Sequence, residues 1–73
     1  MMADRLAGIL KTRRLELGMT QTEVAHESGI ELQQYQRYES GIRPFENCSI
    51  RIGLKVCAAL ELDPYDLFFH IDP

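Results

Sequence analysis

The chain has 73 residues and a net charge of −3, with eight Lys and Arg set against eleven Asp and Glu. That length suits one domain with an economical core; the ordinary hydrophobic content of 45% argues against disorder, and no apolar run approaches the roughly 18–20 residues that span a bilayer. The acidic balance excludes a generic nucleic-acid coating protein, because non-specific affinity rests on Lys and Arg contacts to phosphate. It leaves room for a sequence-specific binder whose basic residues gather on one face.

The start, MMADRL, carries an acid where a signal peptide carries positive charge, and no apolar stretch follows. The expected location is therefore the cytoplasm. Cys48 and Cys57 are the only cysteines. They form no C-x-x-C pair, and His26 and His70 stand far off in sequence, so neither a metal site nor a cofactor is expected. In a reducing compartment the two remain thiols, Cys57 buried and Cys48 in a loop.

From Asp4, the residues Leu6, Ile9, Leu10 and Leu17 recur at helical spacing with Arg and Lys between them, and Gly18 closes that first helix. The run T-Q-T-E at residues 20–23 is a capping box, with Thr20 and Glu23 each satisfying the other's backbone N–H. It opens a second helix over about 21–28, with Val24 and Ala25 inward and His26 on the surface. Gly29 and Ile30 make a tight turn with an apolar plug. A third helix then spans about 32–40 and stops at Gly41. Its Tyr35, Tyr38 and Glu39 share one side, and Leu32, Gln33, Gln36, Arg37 and Ser40 the other. Residues 42–48, IRPFENC, lack periodicity and read as a loop. Ser49 caps a fourth helix to Leu60, with Ile52, Val56, Cys57 and Leu60 inward. Asp63-Pro64 supplies N-cap and first turn of a fifth, where Leu67 and one of Phe68 or Phe69 close the core. The expectation is a compact all-α, five-helix domain spanning residues 1–73.

Two short helices joined through Gly29 make a helix-turn-helix pattern. The run R-R-L-E-L-G-M-T-Q-T-E-V-A-H-E-S-G-I, continued by Y-Q-R-Y-E-S-G-I-R-P, resembles the helix-turn-helix family of the lambda repressor, Cro and XRE-type regulators. The later C-A-A-L-E-L-D-P-Y-D-L-F resembles that family's usual ending, so the resemblance extends from about Leu6 to Phe69. It implies a transcriptional regulator, a repressor by preference, whose third helix reads the major groove of double-stranded DNA. Gln33 and Arg37 match base-reading positions, and their chemistry suits adenine and guanine respectively. Leu32 stands where some relatives carry a polar reader and offers apolar contact, for example to a thymine methyl. Gln34 and Gln36 lie on the flanks as further candidates for base contact.

The resemblance assigns Gln21 to bracing both the DNA backbone and the reading helix. Arg13, Thr20, Ser40 and Arg43 match backbone-contacting positions, which set register without reading sequence. Arg14 and Glu39 match a structural salt bridge between the first and third helices. Relatives bind palindromic operators as two-fold dimers. The apolar surplus at Phe68, Phe69 and Ile71 is accordingly expected to form a homodimer contact.

Three positions depart from the family's pattern. Ser28 replaces an apolar residue and leaves a hydroxyl in need of a partner. Glu31 replaces the usual Ser or Thr cap of the reading helix; an anion there suits the helix dipole but repels phosphate. The loop after Gly41 is longer than usual. No Ser-His-Asp arrangement, phosphate-binding glycine loop or paired carboxylate is present, so an enzyme is not expected. The competing reading is a protein-interaction module or antitoxin-type partner on the same fold, which the acidic balance and Glu31 favour and Gln21, Gln33 and Arg37 oppose.

Overall fold

A computed structural model describes residues 2–69 of the protein. Five α-helices follow one another: α1 (Met2–Glu16), α2 (Gln21–Ser28), α3 (Leu32–Ser40), α4 (Ile50–Ala59) and α5 (Pro64–Phe68), with a 3-10 turn at Phe45–Asn47. No strand occurs among the described residues, and the domain is all-α. No helix among them is long and apolar enough to cross a membrane.

Local chemistry accounts for each boundary. Thr20 Oγ1 accepts from the Glu23 N–H at 3.1 Å, and Glu23 Oε1 accepts from the Thr20 N–H at 2.8 Å, closing the capping box at the start of α2. At its end, Gly29 takes φ 68° and donates to the Ala25 and His26 carbonyls, while the Ile30 N–H reaches Ala25 O at 3.0 Å. This left-handed turn satisfies the orphan carbonyls of α2 and redirects the chain into α3. Ser49 and Asp63 cap α4 and α5 through their side-chain oxygens, and Pro64 occupies the first turn of α5.

Packing gathers Leu6, Leu10, Val24, Ala25, Tyr35, Tyr38, Phe45, Val56, Cys57, Leu60 and Leu67 into one core. α2 lies against α4, and α3 is held between α1 and α2. α4 and α5 approach closely at Gly53, where a Cβ would stand 3.3 Å from both Cys48 Sγ and the Phe68 ring. Cys57 is fully enclosed, and burial pushes its thiol up to about 11, which keeps it protonated near neutrality.

The segment read from sequence as a plain loop, 42–48, differs from that expectation. Its Phe45 is 1% exposed and belongs to the core. The ring meets Tyr38 edge-on at 5.1 Å and stacks on Phe68 at 5.4 Å. A single 3-10 turn is too short to show periodicity, so an aromatic anchor there leaves no helical or strand signature.

Candidate nucleic-acid interface

The inward side of α3 is occupied by Tyr35, Tyr38 and Glu39, all buried. Leu32, Gln33, Gln36, Arg37 and Ser40 consequently form a continuous exposed stripe along its outer side. Leu32, at the first turn, is 37% exposed. Glu31 is the N-cap of α3 but makes no side-chain capping hydrogen bond, and its carboxylate is exposed. Among the described residues, no acid lies within ion-pair distance of Arg37 or Arg43.

The angle of α3 is set from beneath. Arg14 donates through Nε and Nη2 to the two oxygens of Glu39, both at 2.9 Å, and through Nη1 to the Met19 carbonyl at 2.9 Å. This paired geometry ties the end of α1 to the last turn of α3, with side chains only 12% and 3% exposed. Burial by itself raises the Glu39 carboxyl, but Arg14 foremost, with Tyr35 and Gln21, overrides it and holds the group below its ordinary range. Arg14 is correspondingly raised, chiefly by its hydrogen bonds to Glu39. The Tyr35 hydroxyl, enclosed beside this pair, lacks a partner in hydrogen-bond geometry. Burial, then the neighbouring Glu39 carboxylate, push it well above the ordinary phenol range.

Gln21 joins this cluster to the exposed stripe. Its Nε2 donates to Glu39 Oε1 at 3.1 Å, and its Oε1 accepts from Gln36 Nε2 at 3.1 Å. That Gln21 braces the reading helix was expected from the resemblance, but its partner Gln36 was not legible in the sequence. The only trace of the link there is a pair of carboxamides fifteen positions apart, whose meeting depends on how α2 crosses α3. Gln34 is half-buried and turns toward Tyr38, donating to its hydroxyl at 3.3 Å. That bond draws Gln34 off the exposed stripe, which revises its expected place among the base readers.

The residues expected at the DNA backbone divide in the same way. Thr20 and Arg43 are exposed beside the stripe, although the Thr20 hydroxyl already accepts from Glu23. Ser40 Oγ donates to the Arg37 carbonyl at 3.2 Å and accepts from the Ile42 N–H at 3.4 Å, closing the end of α3. Arg13 is the clearest departure from expectation. Its Nε donates to the Leu60 carbonyl at 3.0 Å, and its Nη1 to Glu16 at 3.3 Å. Glu61 lies 3.9 Å from its Nη2. Adjacent residues point about 100° apart around a helix. Arg14 therefore meets α3 while Arg13 caps the carbonyl end of α4, a favourable place for a cation. Arg5 does the same for α5, donating to the Leu67 carbonyl at 2.9 Å.

A groove of about 540 Å³ runs beside the first turn of α3, where Glu31 and Gln34 face Arg51 and Lys55 of α4. On another side, an apolar cleft of about 480 Å³ lies between α4 and α5. Ile50, Leu54, Tyr65 and Phe69 rim it and are exposed. Phe68 is half-buried against Phe45, so it serves the core more than any contact surface, whereas Phe69 is 62% exposed. Ile71, expected in the same surface, lies outside the described residues.

A family model described as helix-turn-helix matches residues 10–46, just over half of the chain. No curated protein and no solved structure matches it.

Proposed function

The chain belongs to the lambda repressor and XRE-like helix-turn-helix family, a family of DNA-binding regulators that is generally non-enzymatic, and on that premise we propose that it represses transcription by presenting α3 to the major groove. The observation that carries the proposal is the exposed stripe of Leu32, Gln33, Gln36 and Arg37, stripped of buried partners on one side and anchored by Arg14, Glu39 and Gln21 on the other. Gln and Arg are side chains that pair with adenine and guanine edges. Ser40 at the end of the stripe and Thr20, Gln21 and Arg43 beside it are assigned to phosphate, with Arg51 and Lys55 adding positive charge beside the first turn of α3. Arg13 has no place in this set, because the end of α4 engages it.

The partner surface proposed for a homodimer is the apolar rim of Ile50, Leu54, Tyr65 and Phe69, which a monomer leaves in water. A two-fold dimer would bind a palindromic operator with half-sites about one helical turn apart.

Binding selection from a random duplex pool tests the reading directly. A palindromic motif is expected, with relaxed preference at separate positions in Arg37→Ala and Gln33→Ala. Unchanged specificity in both variants removes those residues as readers. The net charge of −3 and the uncapped Glu31 favour a protein-interaction module instead. That alternative gives no enrichment even at low salt.

A further inference from the structure

Two walls of opposite charge face each other beside the first turn of α3. The groove between them, of about 540 Å³, has Glu31 and Gln34 on one side and Arg51 and Lys55 on the other. That volume lies within the range of small-molecule sites. Arg51 and Lys55 stand one turn apart on α4, and among the described residues neither has an acid within ion-pair distance. Glu31 likewise has no cation within that distance and makes no capping bond. Lys55 is nonetheless drawn inward, its Nζ 3.3 Å from where a Cβ on Gly29 would stand. Ser28 is an independent observation at the same place. It lines the groove, is wholly buried, and its hydroxyl has no hydrogen-bond partner.

We propose that this groove binds a small zwitterion, its carboxylate or phosphate on Arg51 and Lys55 and its ammonium on Glu31. Ser49 and Arg51 bring the N-terminal end of α4 to the cationic wall, where the helix dipole favours the anionic end. An oxyanion seated over the turn also gives the Ser28 hydroxyl an acceptor. Ile30 and Ile52, both half-buried, line the span between the charges and suit a short methylene chain. A plain anion fills only half of the groove and meets Glu31 in repulsion. A bound zwitterion neutralises Arg51 and Lys55 and stands against the first turn of α3, so it opposes DNA. That last step rests on the DNA-binding reading above.

Amide chemical-shift titration of the isotope-labelled domain tests the site without DNA. The probes are β-alanine, γ-aminobutyrate, ε-aminocaproate and phosphoethanolamine, with propionate, inorganic phosphate and propylamine as one-ended controls. Shifts are expected around residues 28–31 and 49–55, with at least one zwitterion binding about tenfold more tightly than its controls. The tighter oxyanion tells a carboxylate ligand from a phosphate one. Glu31→Gln brings that zwitterion down to its anionic control, and Lys55→Ala abolishes both. Ser28→Ala weakens binding in a domain that is no less stable, which a merely structural role does not produce. Inorganic phosphate binding as tightly as every zwitterion overturns the proposal in favour of a plain phosphate contact. Binding unchanged in both Glu31→Gln and Lys55→Ala overturns it as well. In operator titrations, saturating zwitterion is expected to weaken wild type about tenfold. A zwitterion that binds but leaves operator affinity unchanged overturns the antagonism and keeps the site. No duplex motif from wild type overturns the DNA-binding reading, while the shift titration still judges the site alone.

Discussion

Replacing Glu39 by Ala is expected to destabilise the domain by about 3 kcal/mol. The substitution removes the acceptors of three hydrogen bonds, from Arg14 Nε, Arg14 Nη2 and Gln21 Nε2. Arg14 is left as a cation whose side chain is 12% exposed, with the Met19 carbonyl as its remaining partner. Breaking a buried ion pair by removing one member costs roughly 3–5 kcal/mol, mostly as the uncompensated charge. The retained carbonyl and the residual access of Arg14 to water put this site at the lower end. For a domain of this size the loss corresponds to a fall in Tm of about 12–24 °C. Urea unfolding followed by circular dichroism measures it, with an unchanged m-value confirming that both end states are comparable. Arg14→Met is expected to cost a similar amount, and the double variant Arg14→Met/Glu39→Ala less than the sum, because no charge is then stranded. Single variants within roughly 0.5 kcal/mol of wild type, with additive effects, would show that the pair behaves as a solvated surface contact and refute the reasoning.

Three more expectations follow from buried groups. The depressed Glu39 carboxyl contributes stability that is complete above its unfolded value of about 4.5 and is lost as pH falls through the lower folded value. The stability difference between wild type and Glu39→Gln should therefore shrink between pH 5 and about pH 2, and a constant difference across that range contradicts the assignment. Ser28 is wholly buried with an unpartnered hydroxyl, so Ser28→Ala should stabilise by about 1 kcal/mol in the same urea titration; a loss would mean that the hydroxyl has a partner in solution. Phe45→Ala should cost about 3–5 kcal/mol, the usual range for an enclosed aromatic, whereas a cost below about 1 kcal/mol would mark residues 42–48 as an independent loop.

Features written within a few neighbouring residues were legible in the sequence. T-Q-T-E forms its capping box, Gly29 adopts the left-handed turn, and Asp63-Pro64 opens α5. Each is a local contract between a side chain and a nearby backbone group, so no knowledge of the tertiary arrangement is needed. The two tyrosines of α3 were legible for a similar reason, since helical spacing alone puts Tyr35 and Tyr38 on one side. What escaped depends on how distant segments cross. Arg13 and Arg14 are neighbours of identical type, and only the positions of α3 and α4 around α1 decide which one meets Glu39 and which caps Leu60. The link from Gln21 to Gln36 and the retreat of Gln34 toward Tyr38 are set by side-chain rotamers at a helix crossing. Phe45 was hidden because a single 3-10 turn has too few residues to repeat.

The buried Phe45 has a consequence for how the polypeptide tolerates being cut or lengthened. Surface loops are ordinarily where a protease nick or an inserted peptide does least harm, because little packing is attached to them. Here Ile42 and Arg43 are exposed; Pro44 bars trypsin after Arg43, but Ile42 offers thermolysin an inviting bond on its N-terminal side. Three residues later the backbone is pinned by a ring wedged between Tyr38 of α3 and Phe68 of α5. Cleavage requires a stretch of several residues to peel away into a protease cleft, and that motion would pull Phe45 out of the core. The bond before Ile42 should thus be cut at a rate governed by opening of the whole domain. A peptide tag is therefore poorly placed in the segment that looks most like a hinge.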